Sequence, residues 1–455
     1  MSRRRLGTLM SGSLILCGIS CSNKNAAQDR STIPSDSDDA PRASEKKMTM
    51  EAFADESPDA AAEAWRNAVN KPPANWSGYV FTLSHDYPPQ QPQPPAGGYP
   101  WEVFDFKTQP AEYIQAVLNY ARKDLEAIDW DPTKMEKPTW FHAPWMAEGT
   151  PSGNGREFIR GMTKERSSRV GELSPEQTNN YIANYAVGLY NDVGGWTFGR
   201  VWAVPGKPDL SGDKAIFKNG AMAIKLLFSA ADPDVPGDGV PYLRNSKEWQ
   251  ANIAPYQSSD RVPKTLRLLQ VDIAVRDKRN DSLTGWLFGT FVYNGNKPGE
   301  TPFDRLAPVG LMWGDSPGIT PTDVKNGQKP SQQWINADVG TYQHLGWATR
   351  INGPVDNPAS SCISCHGGGA ESPALTSMLP PKGGADSTIL KWFVNIKAGV
   401  AKDADKGATS LDYSLQMSVA MQNWTRWDQA NNPQPAVLES LRKEHPVNRG
   451  EEPRE

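Results

Sequence analysis

Five apolar runs occupy the middle of the chain. They are eight to eleven residues long and read WTFGRVWAV from 196, AMAIKLLF from 221, TLRLLQVDIAV from 265, GWLFGTFVY from 285 and RLAPVGLMWG from 305. Runs of this length that are bounded by turn residues are typical of β-strands. The run from 285 is apolar on both faces, so we expect it to be central in a sheet and covered on both sides. The pattern predicts a mainly antiparallel, β-rich domain.

Two other segments carry helix signals. Residues 174–192 begin with Ser174 as an N-cap, Pro175 at the first helical position and Gln177 completing a capping box. Residues 109–125 repeat apolar side chains at four-residue spacing. We expect these helices to lie against the sheet, which makes the fold class α+β.

The chain has 455 residues, which is long for one core and suggests more than one domain. Its composition changes along its length, from an apolar leader to a polar stretch and then to aromatic-rich sequence. We predict a signal peptide with a lipobox (1–21), a disordered tether (22–60), a β-rich domain (61–330), a small, mainly α domain (331–445) and a charged tail (446–455).

The leader has the features of an export signal. Arg3–Arg5 form a positive segment, and residues 6–19 are apolar but too short to span a bilayer. The end of the leader, GISC, resembles the lipobox of bacterial lipoproteins, in which the cysteine, here Cys21, is lipidated and becomes the new N-terminus. Cleavage before Cys17 and export without a lipid are the alternatives. An aspartate directly after the lipidated cysteine would resemble an inner-membrane retention signal, but Ser22 occupies that position. We therefore expect an outer-membrane lipoprotein on the periplasmic side of the envelope.

The chemistry-bearing motif is CISCH, which contains Cys362, Cys365 and His366. C-x-x-C-H is the attachment signature of a c-type haem: two thiols form thioethers with one macrocycle, and the adjacent histidine becomes the proximal iron ligand. Asn357 is predicted to cap the short helix, with Pro358 at its first position. A zinc site would need a fourth protein ligand in addition to the two cysteines and the histidine. A redox-active dithiol is typical of a βαβ unit, which the sequence pattern does not predict here. We therefore predict one covalent haem c.

The segment around this motif resembles a monohaem c-type cytochrome domain, on the basis of CISCH, the export signal and helix-prone sequence downstream such as STILKWFVNIKAG. The resemblance implies single-electron transfer with a redox partner protein. Pro354 and Pro358 forbid the long helix that leads into the motif in small cytochromes c, so the fold would be a variant. The large preceding domain is not part of that family pattern.

The sixth iron ligand decides between an electron carrier and a haem enzyme. Met417 is the first candidate, and the alternatives are Met421, Met378, His344, His445 or an open site. The segment that holds Met417 and Met421 alternates like a strand and also carries a helical stripe, so its structure stays open. A methionine on such a stripe is more often a core residue than a ligand.

Electron transfer is the favoured function, and an electron carrier is preferred over a haem oxidoreductase, but the sequence leaves open whether the chain is an enzyme. The alternative is a peroxidase- or oxygenase-like haem enzyme with substrate between the two domains, assisted by His142 or an arginine. His142, between Trp140 and Trp145, is more simply explained as a hydrogen-bonded histidine in a packing seam. A third possibility is an organic-ligand-binding domain, given 16 tryptophans. The net charge of -4 and the lack of a long basic run argue against nucleic acid as a partner.

Overall fold

The computed structural model describes residues 72–146, 155–258, 260–339, 345–371 and 379–431. All of these belong to one compact unit, Met50–Glu455. The described strands are β1 (Trp140–Phe141), β2 (Thr163–Lys164), β3 (Asn184–Asn191), β4 (Met222–Ser229), β5 (Glu248–Ile253), β6 (Val262–Arg276), β7 (Trp286–Tyr293), β8 (Leu306–Met312), β9 (Gln333–Ile335), β10 (Ala370–Glu371) and β11 (Thr409–Ser410). The described α-helices are α1 (Pro110–Leu125), α2 (Asp192–Val201), α3 (Pro321–Lys325), α4 (Cys362–His366), α5 (Asp386–Ile389) and α6 (Leu415–Asn431). Short 3₁₀ turns lie at Glu126–Ile128, Pro132–Lys134, Pro241–Leu243, Lys278–Asn280, Pro302–Arg305, Trp347–Thr349, Leu390–Trp392 and Ala404–Lys406.

Nine of these strands form one antiparallel sheet in the order β1-β3-β4-β6-β7-β8-β9, with β2 also paired to β3 and β5 to β6. The predicted strands from 221, 265, 285 and 305 are confirmed as β4, β6, β7 and β8. The predicted α+β class with a mainly antiparallel sheet is confirmed as well. β10 and β11 form a separate two-stranded sheet.

Strand β7 has the central, doubly covered position that its apolar sequence predicts. All eight of its residues are buried, and it lies between β6 and β8. On one face α1 approaches so closely that a Cβ at Gly289 would lie 2.5 Å from Cδ1 of Ile114. On the other face Phe288 contacts the ring of His366, with centroids 4.6 Å apart. The sheet therefore separates α1 from the CISCH helix.

Two of the predictions are wrong: a helix was predicted before Asn191 and a strand after it, and the structure has the reverse. The region predicted as a helix, 174–192, ends in strand β3, and the run from 196 that was predicted as a strand lies mostly in helix α2. All of β3 is buried, so its apolar residues do not mark one face and their spacing does not distinguish a helix from a strand. Asn191 ends the strand and caps α2 by accepting a hydrogen bond from the backbone N–H of Gly194. The helix predicted at 109–125 is confirmed as α1.

The residues after 330 continue the same unit. Strand β9 pairs with β8, so the expected boundary at 330/331 does not interrupt the sheet. The ambiguous segment around Met417 is helical and forms α6. The predicted leader, its tether and the charged tail lie outside the described residues. Among the described residues, no helix is both long and apolar enough to cross a membrane.

Candidate haem-attachment site

The motif forms a short helix, as its spacing predicts, but its cap differs from the prediction. Ser361 is the N-cap of α4: its hydroxyl accepts from the N–H of Ser364, and the Ser364 side chain accepts from the N–H of Ser361. The predicted cap, Asn357, instead accepts from the N–H of Ala359 and closes a turn before the helix. The prediction for Asn357 and Pro358 is therefore wrong, because Ser361 stands directly before the helix.

The two thiols lie one helical turn apart. Cys362 and Cys365 are both free and half-buried, and residues three apart share one side of a helix. Burial raises the pKa of the Cys365 thiol to about 11 and that of Cys362 well above its usual range. Both residues are therefore neutral thiols on one side of the turn.

One ring nitrogen of His366 is hydrogen-bonded, and the other has no hydrogen-bond partner among the described residues. Its Nδ1 lies 2.9 Å from the backbone oxygen of Tyr413. A carbonyl can only accept, so Nδ1 carries the proton and Nε2 keeps its lone pair. Burial lowers the pKa of the imidazole to about 4, which keeps the ring neutral near pH 7. The Tyr413 hydroxyl donates to the oxygen of Ile396 at 2.5 Å and so steadies this loop.

The buried residues Asp315 and Arg350 connect the motif helix to the loop after β8. The Ser361 hydroxyl donates to Oδ1 of Asp315 at 2.6 Å, and Arg350 lies 3.7 Å from the same oxygen. Arg350 also donates to the backbone oxygens of Asp315 and Ser316, at 2.7 and 2.9 Å. Its guanidinium contacts the Phe393 ring, 4.5 Å from the centroid. Burial raises the pKa of Asp315 to about 7, against the opposing effects of Ser361 and Arg350.

Two of the five candidates for the sixth ligand lie among the described residues, and both are buried in the core. The sulfur of Met417 accepts a hydrogen bond from the indole N–H of Trp202 at 3.3 Å, and the side chain is fully buried. Met421 is also a buried core residue. The other three candidates, Met378, His344 and His445, lie outside the described residues. In this arrangement the Met417 sulfur faces a tryptophan in the core.

His142 occupies a different part of the structure's core. Its Nδ1 accepts from the N–H of Ser84 at 3.0 Å, and its ring meets Phe81 edge-on. Burial, with the nearby charge of Arg156, lowers its pKa well below the usual range. The cavity beside it, which Arg160 also lines, measures about 10 Å³ and has room for about one water molecule. These contacts are those of a hydrogen-bonded core histidine.

The comparisons with known proteins add nothing to this site. No protein-family model, curated protein or solved structure matches the chain. Within the described ranges, no group of three or more His, Cys, Asp or Glu side chains is placed to hold a metal ion together.

The donor set of the motif fits a c-type haem. Two thiols that form no disulfide share one side of a helical turn. The adjacent imidazole is neutral, and its Nε2 has no hydrogen-bond partner within the described residues. The motif residues were evident from the sequence, but Tyr413 and Asp315 were not. Tyr413 acts through its backbone, which leaves no residue-type signal, and Asp315 stands in an ordinary-looking loop after β8.

Proposed function

We propose that the chain binds one haem c covalently through Cys362 and Cys365, with His366 as the axial ligand, and exchanges single electrons with a redox protein. The observation that carries the proposal is the hydrogen bond from His366 Nδ1 to the oxygen of Tyr413. Such a bond fixes the tautomer and orientation of a ligating histidine and increases its basicity. The same bond leaves Nε2 as the ring nitrogen that would bind the iron.

A bound haem supplies one-electron iron chemistry, and the chain's own residues would prepare the place for it. The Ser361–Asp315 bond fixes the start of α4, and with it the direction of both thiols. Phe288 limits the rotation of the imidazole from the sheet side. The protein would thereby hold the His366 imidazole in one orientation, in which it could bind the iron of a haem.

We extend the proposal to the parts of the chain around the site. Residues 331–445 would serve as a cytochrome c-like segment that is docked on the β-rich part, since β9 belongs to the same sheet as β8. The leader would export the chain, and Cys21 would anchor it by a lipid at the outer membrane. The β-rich part would cover the haem or receive the redox partner.

A haem enzyme is the second candidate, and one observation favours it. The sulfur of Met417, the first candidate for the sixth ligand, is directed at Trp202. If no other residue fills that position, the iron would be open to a small exogenous ligand, as it is in peroxidases and oxygenases.

The test is to purify the mature protein from cells that can mature c-type cytochromes. Denatured protein should keep its visible haem spectrum, and its mass should equal the chain plus one haem. The variants C362A and C365A should lose one thioether each, whereas S418A, a control serine on α6, should keep both. A colourless wild-type protein would refute the proposal. Carbon monoxide binding by the reduced protein would decide in favour of the enzyme, and its absence in favour of the carrier.

A further inference from the structure

A charged cluster lies on the sheet face beside the motif. One row of directly paired residues crosses four strands: Gly188, Lys225, Asp272 and Thr290 on β3, β4, β6 and β7. Directly paired residues project on the same face. Phe288, two residues before Thr290 on the same strand, is the residue that contacts His366. The row therefore points towards the motif.

Lys225 is the only positive charge at the centre of this cluster, within the residues the structure describes. Its Nζ lies 3.0 Å from Asp272 and 3.8 Å from Glu165, and all three side chains are half-buried, with 23 to 30% exposure. Burial alone would lower the pKa of Lys225, but the carboxylates outweigh it and raise the pKa well above the usual range. Lys225 is therefore permanently charged.

Gln270 links this cluster to the loop before the motif. Its side-chain amide donates to Asp272 at 2.7 Å and to Asp356 at 3.2 Å. Asp356 also accepts from the N–H of Gly353 at 2.9 Å, so it is held six residues before Cys362. Two carboxyl groups, Glu165 and Asp272, thus lie within 4 Å of the Lys225 ammonium group, and the third, Asp356, is joined to Asp272 through Gln270. We call Lys225 and the residues of these three carboxyl groups the Lys225 cluster.

Two structural links place the cluster beside the motif. Thr290, which is paired with Asp272, lies on the same face of β7 as Phe288, and Phe288 contacts the ring of His366. Asp356 belongs to the loop that leads into the motif helix. Thioether attachment and iron ligation do not need these charged groups.

We propose that the charged side chains of the Lys225 cluster set the reduction potential of the haem site. This inference rests on the proposed function, because it needs a haem at the motif. When the site gives one electron to its redox partner, it gains one positive charge. Each ionised carboxylate of the cluster stabilises that oxidised state and so lowers the potential, whereas the charge of Lys225 has the opposite effect. Burial raises the pKa of Asp272 and Glu165, and the charge of Lys225 opposes that rise.

The experiment is a spectroelectrochemical titration of the haem-loaded protein. K225M should lower the midpoint potential, and D272N should raise it. Removing one charge from the cluster should change the ratio of oxidised to reduced protein at a fixed potential by about tenfold. For a one-electron couple this equals ~59 mV in the midpoint potential. K225R keeps the charge and should leave the midpoint near the wild-type value. K247M is the matched control, since Lys247 pairs with Asp129 at 2.7 Å in a different ion pair.

Opposite signs for K225M and D272N support the proposal, because a merely structural disturbance has no reason to follow the sign of the charge. Shifts in the same direction, or shifts no larger than that of K247M, would overturn it. If K225M does not fold, E165Q and D272N must both raise the midpoint, and a fall in either refutes the idea. A wild-type protein without haem would instead refute the proposed function, so the two failures are distinguishable.

Discussion

Replacing Ser361 by alanine removes two interactions at the start of the motif helix. The hydroxyl accepts from the N–H of Ser364 and donates to the buried carboxyl of Asp315. Loss of a serine N-cap costs about 0.5–2 kcal/mol. Leaving a buried carboxyl without its donor costs about 1–3 kcal/mol more, since Oδ2 of Asp315 already has no hydrogen-bond partner among the described residues. We expect S361A to lower the free energy of unfolding by about 1.5–5 kcal/mol in total.

The assay is equilibrium unfolding in urea, followed by tryptophan fluorescence. T320A is the matched control, because Thr320 caps α3 through the same kind of capping box. Its hydroxyl also donates to a carboxylate, that of Asp323 at 2.6 Å, but this carboxylate is half-exposed and can be hydrated when the hydroxyl is removed. T320A should cost only the cap, about 0.5–2 kcal/mol. In a D315N background the additional cost of S361A should become smaller. If S361A costs no more than T320A, the buried hydrogen bond to Asp315 does not stabilise the motif helix.

Three further predictions concern other parts of the chain. The native pKa of Asp315, about 7, lies above its ordinary value of 3.8, so the folded state holds this proton more tightly and stability should fall as pH rises from about 4 to 7. Urea midpoints across that range should therefore fall less for D315N than for the wild type, and equal slopes would contradict the assignment. G289A should cost about 1–3 kcal/mol by overpacking against Ile114, and I114V should recover part of that loss; no recovery would mean that the contact is not the cause. C21A should release the protein from membrane fractions without changing its haem spectrum, and retention in those fractions would exclude Cys21 as the anchor.

Local sequence was sufficient for much of the fold. Strands β4, β6, β7 and β8 follow from continuous or alternating apolar runs, and α1 follows from its four-residue spacing. The helical turn at CISCH follows from the motif, because the roles proposed for Cys362, Cys365 and His366 depend only on their separation along the chain. Where a segment is buried on every side, as β3 is, the apolar pattern loses its period, and the helix and strand predictions around Asn191 were exchanged.

The surroundings of the motif depend on contacts between distant residues. The backbone oxygen that orients His366 belongs to Tyr413, 47 residues later, and the carboxyl that anchors Ser361 lies 46 residues earlier. Lys225 and Asp272 are visible in the sequence only as polar interruptions of apolar strands. Whether they form an ion pair depends on the register of β4 against β6, and a shift by one residue would direct one of them to the opposite face. Spacing along the chain thus specifies the donors of the site, whereas strand register and packing determine the charges and hydrogen bonds around them.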